Sequence, residues 1–187
     1  ACSNCLVGKY QDEADQSGCK GCKLGQYQDE NDQSSCKLGC AVGSSSNRDK
    51  SGCLLCPSGQ YQDENDQSSC KSDCNVGFSI NFAKTKCVAC ASGLYQDESD
   101  QSSCKDCKAG SSVNKNKTKC ANCLVGEYQD ESDQSDCKLC ELGQYQDEND
   151  KTACKECARG RYTVEQGKND CSSCLPGQYA RTSSSKC

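Results

Sequence analysis

The 187-residue chain has no histidine, tryptophan or methionine, and hydrophobic residues make up only 33% of it, with Cys, Ala and Tyr counted among them. Without histidine there is no imidazole to act as general base, and no nucleophile-elbow motif is present. Repeated solvent-facing carboxylates lack the concave, water-poor site that perturbs a pKa, so the chain is not expected to be an enzyme and no catalytic residue is assigned. No apolar run reaches membrane-spanning length and there is no signal peptide, which places any targeting or anchoring segment outside these residues. A helical period is missing too, and a Gly every 17 residues would interrupt one. The net charge of −5 gives no nucleic-acid footprint and argues against binding to anionic membrane.

Cysteine is what the chain has in excess. Its 23 Cys are the density of a disulfide scaffold in an oxidising, extracellular or cell-surface setting. First members of the Cys pairs fall at 2, 19, 36, 53, 70, 87, 104, 120, 137, 154, 171 and 187, a step of 17 with two steps of 16. Where a pair is C-x3-C, at Cys36/Cys40 and Cys70/Cys74, the next loop is one residue shorter, as though the period were being held. A fixed period with one small unit per repeat marks a solenoid or linear array. Residues 1–187 therefore read as one continuous array of about eleven 17-residue repeats, cut from a longer chain.

The unit is clearest at Cys22 to Cys36, CKLGQYQDENDQSSC. Gly25 suits positive φ or close backbone approach, and Tyr27 is the one large side chain able to cover the disulfide. Asp29, Glu30, Asn31 and Asp32 form a turn, because Asp and Asn side chains satisfy local donors. Short strands are predicted at 26–28 and 33–36. The fold class that follows is small disulfide-rich repeats, a linear solenoid-like rod of short β-hairpin loops with little or no helix.

Eleven loops, numbered here in chain order, all keep the Gly, from Gly8 to Gly177, and eight keep the Tyr. Loops 3, 5 and 7 have Ser45, Ser79 and Ser112 in its place, and in loop 5 Phe78 and Phe82 are expected to do the covering. Loops 1, 2, 4, 6, 8 and 9 carry YQDE, with net charges from −2 in loop 1 to −5 in loop 8. Loops 3, 5, 7, 10 and 11 are Ser/Asn/Lys-rich and net positive.

Joining each second Cys to the next first Cys gives Cys5 to Cys19, Cys22 to Cys36, Cys40 to Cys53, Cys56 to Cys70, Cys74 to Cys87 and Cys90 to Cys104, then Cys107 to Cys120, Cys123 to Cys137, Cys140 to Cys154, Cys157 to Cys171 and Cys174 to Cys187. Cys2 is left over, with a partner upstream. An interleaved scheme, bonding Cys2 to Cys19 and Cys5 to Cys22, leaves Cys174 over, so parity does not decide. Closing a loop of about 15 residues stabilises by about 3 kcal/mol in the chain-entropy model, which favours the local staples. That gain is smaller than the entropy of ordering a repeat, so stacking on the next repeat is required.

The C-x2-C pairs invite comparison with zinc sites, but a continuous array without His in an oxidising compartment favours disulfides. Asp29, Glu30 and Asp32 are hard oxygen donors in one turn, yet the spacing matches no EF-hand and acidic turns are usually just solvated. No cofactor or metal is assigned; a calcium-stiffened spacer is the lesser alternative. Asn116-Lys117-Thr118 is the single N-x-S/T sequon, in a basic loop expected to be exposed, and makes Asn116 the glycosylation candidate.

The pattern C-x2-G-x-Y-x8-C from Cys22 to Cys36, joined onward by C-x2-C or C-x3-C, resembles the ephrin-receptor-like cysteine-rich repeats and the first module of tumour-necrosis-factor-receptor cysteine-rich domains. Long arrays with YQDE and DQSSCK are similar to those of large surface proteins of algae and other protists. The resemblance covers the whole chain and implies an elongated extracellular rod with the neighbour pairing of cysteines. Those receptors interleave a second module type that is missing from this sequence, so their ligand-binding role does not carry over. The expected function is structural, in a filament, surface appendage, wall or coat, with a ligand-binding or adhesive ectodomain as the alternative. Residues 25–37 and 59–71 are identical, which spreads any binding surface along the array and favours the structural role. Expected partners are other protein chains, by self-association or at a filament core, and glycans; no nucleic acid and no membrane insertion are expected.

Overall fold

A computed structural model describes residues 4–187. Its eleven disulfides each join the second Cys of one pair to the first Cys of the next, from Cys5–Cys19 to Cys174–Cys187, with Cα atoms 5.5–5.8 Å apart. Those separations are the ordinary span of the bond. The interleaved alternative is not the arrangement found; Cys2 lies outside the described residues.

Loops 1 to 10 are each a small antiparallel hairpin, loop 11 makes only a parallel bridge from Ser184 to Tyr162, and no helix occurs among the described residues. In acidic loops the strands are two residues long, as where Leu94–Tyr95 pairs with Lys105–Asp106, or shrink to single bridges, Tyr27 to Lys37 and Tyr61 to Lys71. The second strand thus begins beyond the closing Cys, which corrects the expected strand at 33–36. The Gln28 amide is the reason. It donates to the Ser35 carbonyl at 2.7 Å while its oxygen accepts from the Glu30 amide at 3.0 Å, so a side chain takes the place a strand partner would fill.

The buried residues recur loop by loop rather than gathering at one centre. The opening Cys of loops 1 to 10 are buried, and so, in loops 2 to 11, is the residue three past the Gly. In acidic loops that residue is Gln, with Gln62 and Gln129 only 1% exposed. A buried amide is tolerated only when bonded, and Gln62, Gln129 and Gln146 repeat the two hydrogen bonds of Gln28. In the other loops the position holds Ser46, Ile80, Val113, Thr163 and Ala180. Loops 3, 5 and 7 brace their turns from the next residue instead. Asn47, Asn81 and Asn114 accept through Oδ1 from the amides of Ser51, Thr85 and Thr118 at 2.8 Å.

This pattern of burial corrects two expectations. Tyr27 and its counterparts in loops 1 to 10 are half-buried beside the hairpin, and in loops 2, 4, 6, 8 and 9 the buried side chain is the Gln that follows. In loop 5, Phe82 projects fully into solvent and Phe78 is 41% exposed, while Ile80 fills the core. Two-residue alternation sends 78 and 80 to the same side of the strand, but only the residue three past the glycine is buried.

Loops stack through the backbone. The amide of the core residue donates to the turn of the following loop, as Gln28 to the Lys50 carbonyl at 2.8 Å and Gln146 to the Lys168 carbonyl at 3.0 Å. The carbonyl of the opening Cys accepts from that same turn: Cys40 from the Asp66 amide at 2.9 Å, Cys107 from the Asp133 amide at 2.7 Å. Where the turn residue is Lys, its ammonium does this instead, Lys50 to Cys22 and Lys117 to Cys90. These turn residues hold left-handed φ of 54–63°, a conformation Asp tolerates better than most L-residues. Contacts also reach two loops along. A Cβ on Gly25, whose φ is +79°, would lie 1.7 Å from the Asp66 carbonyl oxygen. The expected stacking on the next repeat does not include this second contact.

Two compact units share the chain. One holds the residues up to Val88 with Glu98–Ser103, the other Ala89–Asp97 with Cys104–Cys187. The stacking contacts above recur inside each.

Candidate interaction surface

Since the buried positions are filled by sulfur, hydrogen-bonded Gln and a few small or aliphatic side chains, most of the chemistry faces outward. Each acidic loop pairs its first Asp with the Lys after the closing Cys: Asp29 with Lys37, Asp63 with Lys71 and Asp130 with Lys138, all at 2.6 Å. The hairpin sets this up by placing Tyr opposite Lys, as Tyr128 opposite Lys138, whose ammonium also lies 5.9 Å from the Tyr128 ring centroid. The Lys hydrogen bond holds the carboxyls of Asp12, Asp29, Asp63, Asp97, Asp130 and Asp147 below the usual range. Such exposed pairs are weak singly and are screened by salt.

This pairing dismantles the calcium constellation. Lys37 occupies Asp29 and also lies 3.4 Å from Glu30, while Asp32 sits in the left-handed corner with its amide on the Cys5 carbonyl. A cation there would have to displace an ammonium already held by two carboxylates. Among the described residues no group of three or more His, Cys, Asp or Glu is placed to hold a metal.

Tyr61 differs from its counterparts. Its hydroxyl donates to Asp73 at 2.6 Å, and that bond, with desolvation second, pushes its pKa up to about 12. Asp73 is available because loop 4 is followed by a C-x3-C pair. Asn116 is exposed, one residue before the left-handed Lys117, and the Thr118 hydroxyl accepts from Asn114 at 2.9 Å.

Aliphatic side chains between paired cysteines or just before a loop Gly stay outside, among them Leu24, Leu38, Leu54, Leu55 and Leu124, each at least 60% exposed. One cleft of about 330 Å³ lies between loops 4 and 5 and is lined by Pro57, Ile80 and Phe82 with Asn81, Gln60 and Ser102. No helix of the described residues is long and apolar enough to cross a membrane.

Geometry of this kind, one disulfide per loop and a buried opening Cys in loops 1 to 10, defines a disulfide-rich repeat array. Three overlapping stretches, residues 77–113, 110–153 and 132–167, match the family described as tyrosine-protein kinase ephrin type A/B receptor-like. The match spans residues 77–167, and the same Cys and Gly spacing and the same staples continue on either side. Among curated proteins no sequence matches the chain. Eleven disulfides together with a receptor-like repeat family mark an extracellular repeat protein.

Proposed function

We propose that the chain is a structural element outside the cell, part of a filament, surface appendage, wall or coat, elongated and without catalytic chemistry. The observation that carries this reading is repetition. Residues 25–37 and 59–71 are identical, and the Gln staple and the Asp–Lys pair return in loop after loop, so the surface is periodic rather than centred on one patch. Periodic weak contacts add up when many act together. The partners are other protein chains, copies of this one included, with an N-glycan on Asn116; nucleic acid and membrane insertion have no part. Acidic loops meeting basic loops of a neighbouring molecule supply the charge contacts of such an assembly.

Immunogold labelling of intact cells with an antibody against GQYQDENDQSSCK tests the role. Periodic label on an extracellular filament, wall or coat is expected; label confined to the cell interior would overturn it. Small-angle scattering tests the elongated shape, and intact mass before and after N-glycan release tests Asn116. The ligand-binding reading keeps one observation in its favour, the Phe82 cleft between loops 4 and 5.

A further inference from the structure

The cleft of about 330 Å³ between loops 4 and 5 lies wholly within the first compact unit. Buried Ile80 and the exposed Pro57 give it an apolar wall, and Phe82, two residues past the buried position of its loop, stands in solvent at its edge. The same offset holds Arg48 in loop 3 and Lys115 in loop 7. Those residues line clefts of about 380 and 270 Å³ built in the same way, each with the left-handed Lys of its turn and a Ser of the following loop. At Phe82 an aromatic ring thus takes the place of a cation.

The polar groups around the ring fall into two sets. One is spent inside the chain. Asn81 accepts from the Thr85 amide at 2.8 Å and donates to the Thr85 hydroxyl at 2.9 Å, and the one charged residue lining the cleft, Lys84, turns its ammonium to the Cys56 carbonyl. The backbone amides of Gln60, Ile80, Asn81 and Lys84 are likewise bonded. The other set is unused: among the described residues the side chains of Ser58, Gln60 and Ser102 have no hydrogen-bond partner. These two sets select the ligand. An ion finds no free counter-charge, and an extended peptide finds those amides already committed and cannot add as a strand. A wholly apolar molecule would strand two hydroxyls and a carboxamide away from water, which is costly. What fits is a neutral molecule with one apolar face and hydroxyls around its edge, which is the chemistry of a pyranose ring. The volume sits near the lower end of the range for small-ligand clefts, about 300–1,000 Å³, and suits a sugar residue rather than a folded partner.

We propose that the Phe82 cleft binds a neutral pyranose residue of an extracellular glycan, with the C–H face of the sugar on the Phe82 ring and its hydroxyls on Ser58, Gln60 and Ser102. One ring and three polar groups make a weak contact, which becomes useful where many chains meet a surface bearing many such sugars. Attachment to a glycan-bearing matrix goes beyond the structural role and rests only on the extracellular setting of that reading.

The chain has two Phe, so ring-labelled Phe gives two sets of NMR signals from the disulfide-intact 187-residue protein. The test is a titration with neutral tetrasaccharides of glucose, mannose and N-acetylglucosamine. One ring set should shift and saturate with at least one of these sugars. Phe82→Ala should weaken that binding about tenfold and Gln60→Ala several-fold, followed through the amides of loops 4 and 5. Arg48→Ala, in the like cleft of loop 3, should leave it unchanged. Because Phe82 packs its ring against nothing that needs it, a loss in Phe82→Ala reports the site and not the fold; Ser102→Ala, also at an exposed position, gives a second reading. No ring shift with any of the three sugars overturns the proposal, as does binding indifferent to Phe82→Ala. Tighter binding of tetragalacturonate than of the neutral sugars overturns it as well, and so do ring shifts that follow protein concentration instead of sugar, which would mean that a second copy covers the cleft. Each of these results leaves the structural role standing, since the surface labelling tests that role separately.

Discussion

Replacing Gly93 by Ala adds one methyl group and should open a defined part of the array. Its φ is +80°, and the new Cβ would lie 1.6 Å from the Asp133 carbonyl oxygen and 2.2 Å from its carbon. The left-handed conformation costs a residue with a Cβ about 1–2 kcal/mol. Relieving the overlap requires loop 8 to move away by more than a bond length, which breaks the bond from the Asp133 amide to the Cys107 carbonyl, worth about 1 kcal/mol net. The sum, about 3 kcal/mol, corresponds to roughly a hundredfold rise in local opening. Two controls divide it. Gly160→Ala carries the same φ penalty but meets nothing, so its cost should stop at about 1–2 kcal/mol. Gly52→Ala has neither problem and should stay within about 0.5 kcal/mol. Hydrogen exchange with the disulfides intact is the suitable readout, because a stapled repeat array does not unfold as a single unit. The peptide covering 127–137 should exchange fastest in Gly93→Ala. If Gly93→Ala and Gly160→Ala open equally, contact two loops along does not hold the array together.

Gln62→Leu keeps the volume but strands the Ser69 carbonyl and the Glu64 amide, and should cost about 2–4 kcal/mol, read as faster exchange across 63–70; a neutral result would refute the staple. Ultraviolet titration should find one Tyr ionising near pH 12, and Asp73→Asn should bring it down. Because the folded pKa of Tyr61 is raised, its stabilising share is complete below the ordinary tyrosine pKa and is lost as pH climbs from about 10 to about 12. Lys37→Met should raise the Asp29 pKa towards the ordinary range in an NMR titration; the depressed value means that the share of this pair holds above that range and is lost as pH falls through it.

Much of the fold is legible from spacing. The period, the positive-φ Gly and the acidic turn follow from the positions of Cys, Gly and Asp, since backbone conformation is a local demand; the neighbour staples rest also on loop-closure entropy and the family resemblance, because the Cys positions alone leave the interleaved scheme open. The core was harder to read. Gln28 sits in a polar QDEND run and looks solvated, and only its alternation with Ser46, Ile80, Val113, Thr163 and Ala180 at the same offset shows a buried position. The second strand was misplaced because a side-chain amide fills the role of backbone there, and no propensity reports that. Phe78 and Phe82 were expected to cover loop 5 on hydrophobicity alone, but their offset from Gly77 puts them outside. On the surface, Asp29 and Lys37 are eight residues apart and read as members of opposite charge groups until the hairpin brings them together. Asp73, beside Tyr61, has no sequence signal beyond the extra residue in its C-x3-C pair.

The disulfide framework carries every other part of the account, and tryptic mapping without reduction tests it most directly. The peptide 120–138 contains Cys120, Cys123 and Cys137. With Cys123 bonded to Cys137 inside it, and Cys107 to Cys120, it should be recovered joined only to the short peptide carrying Cys107. Recovery of the same peptide also joined to those carrying Cys104 and Cys154 would establish the interleaved scheme and contradict the account.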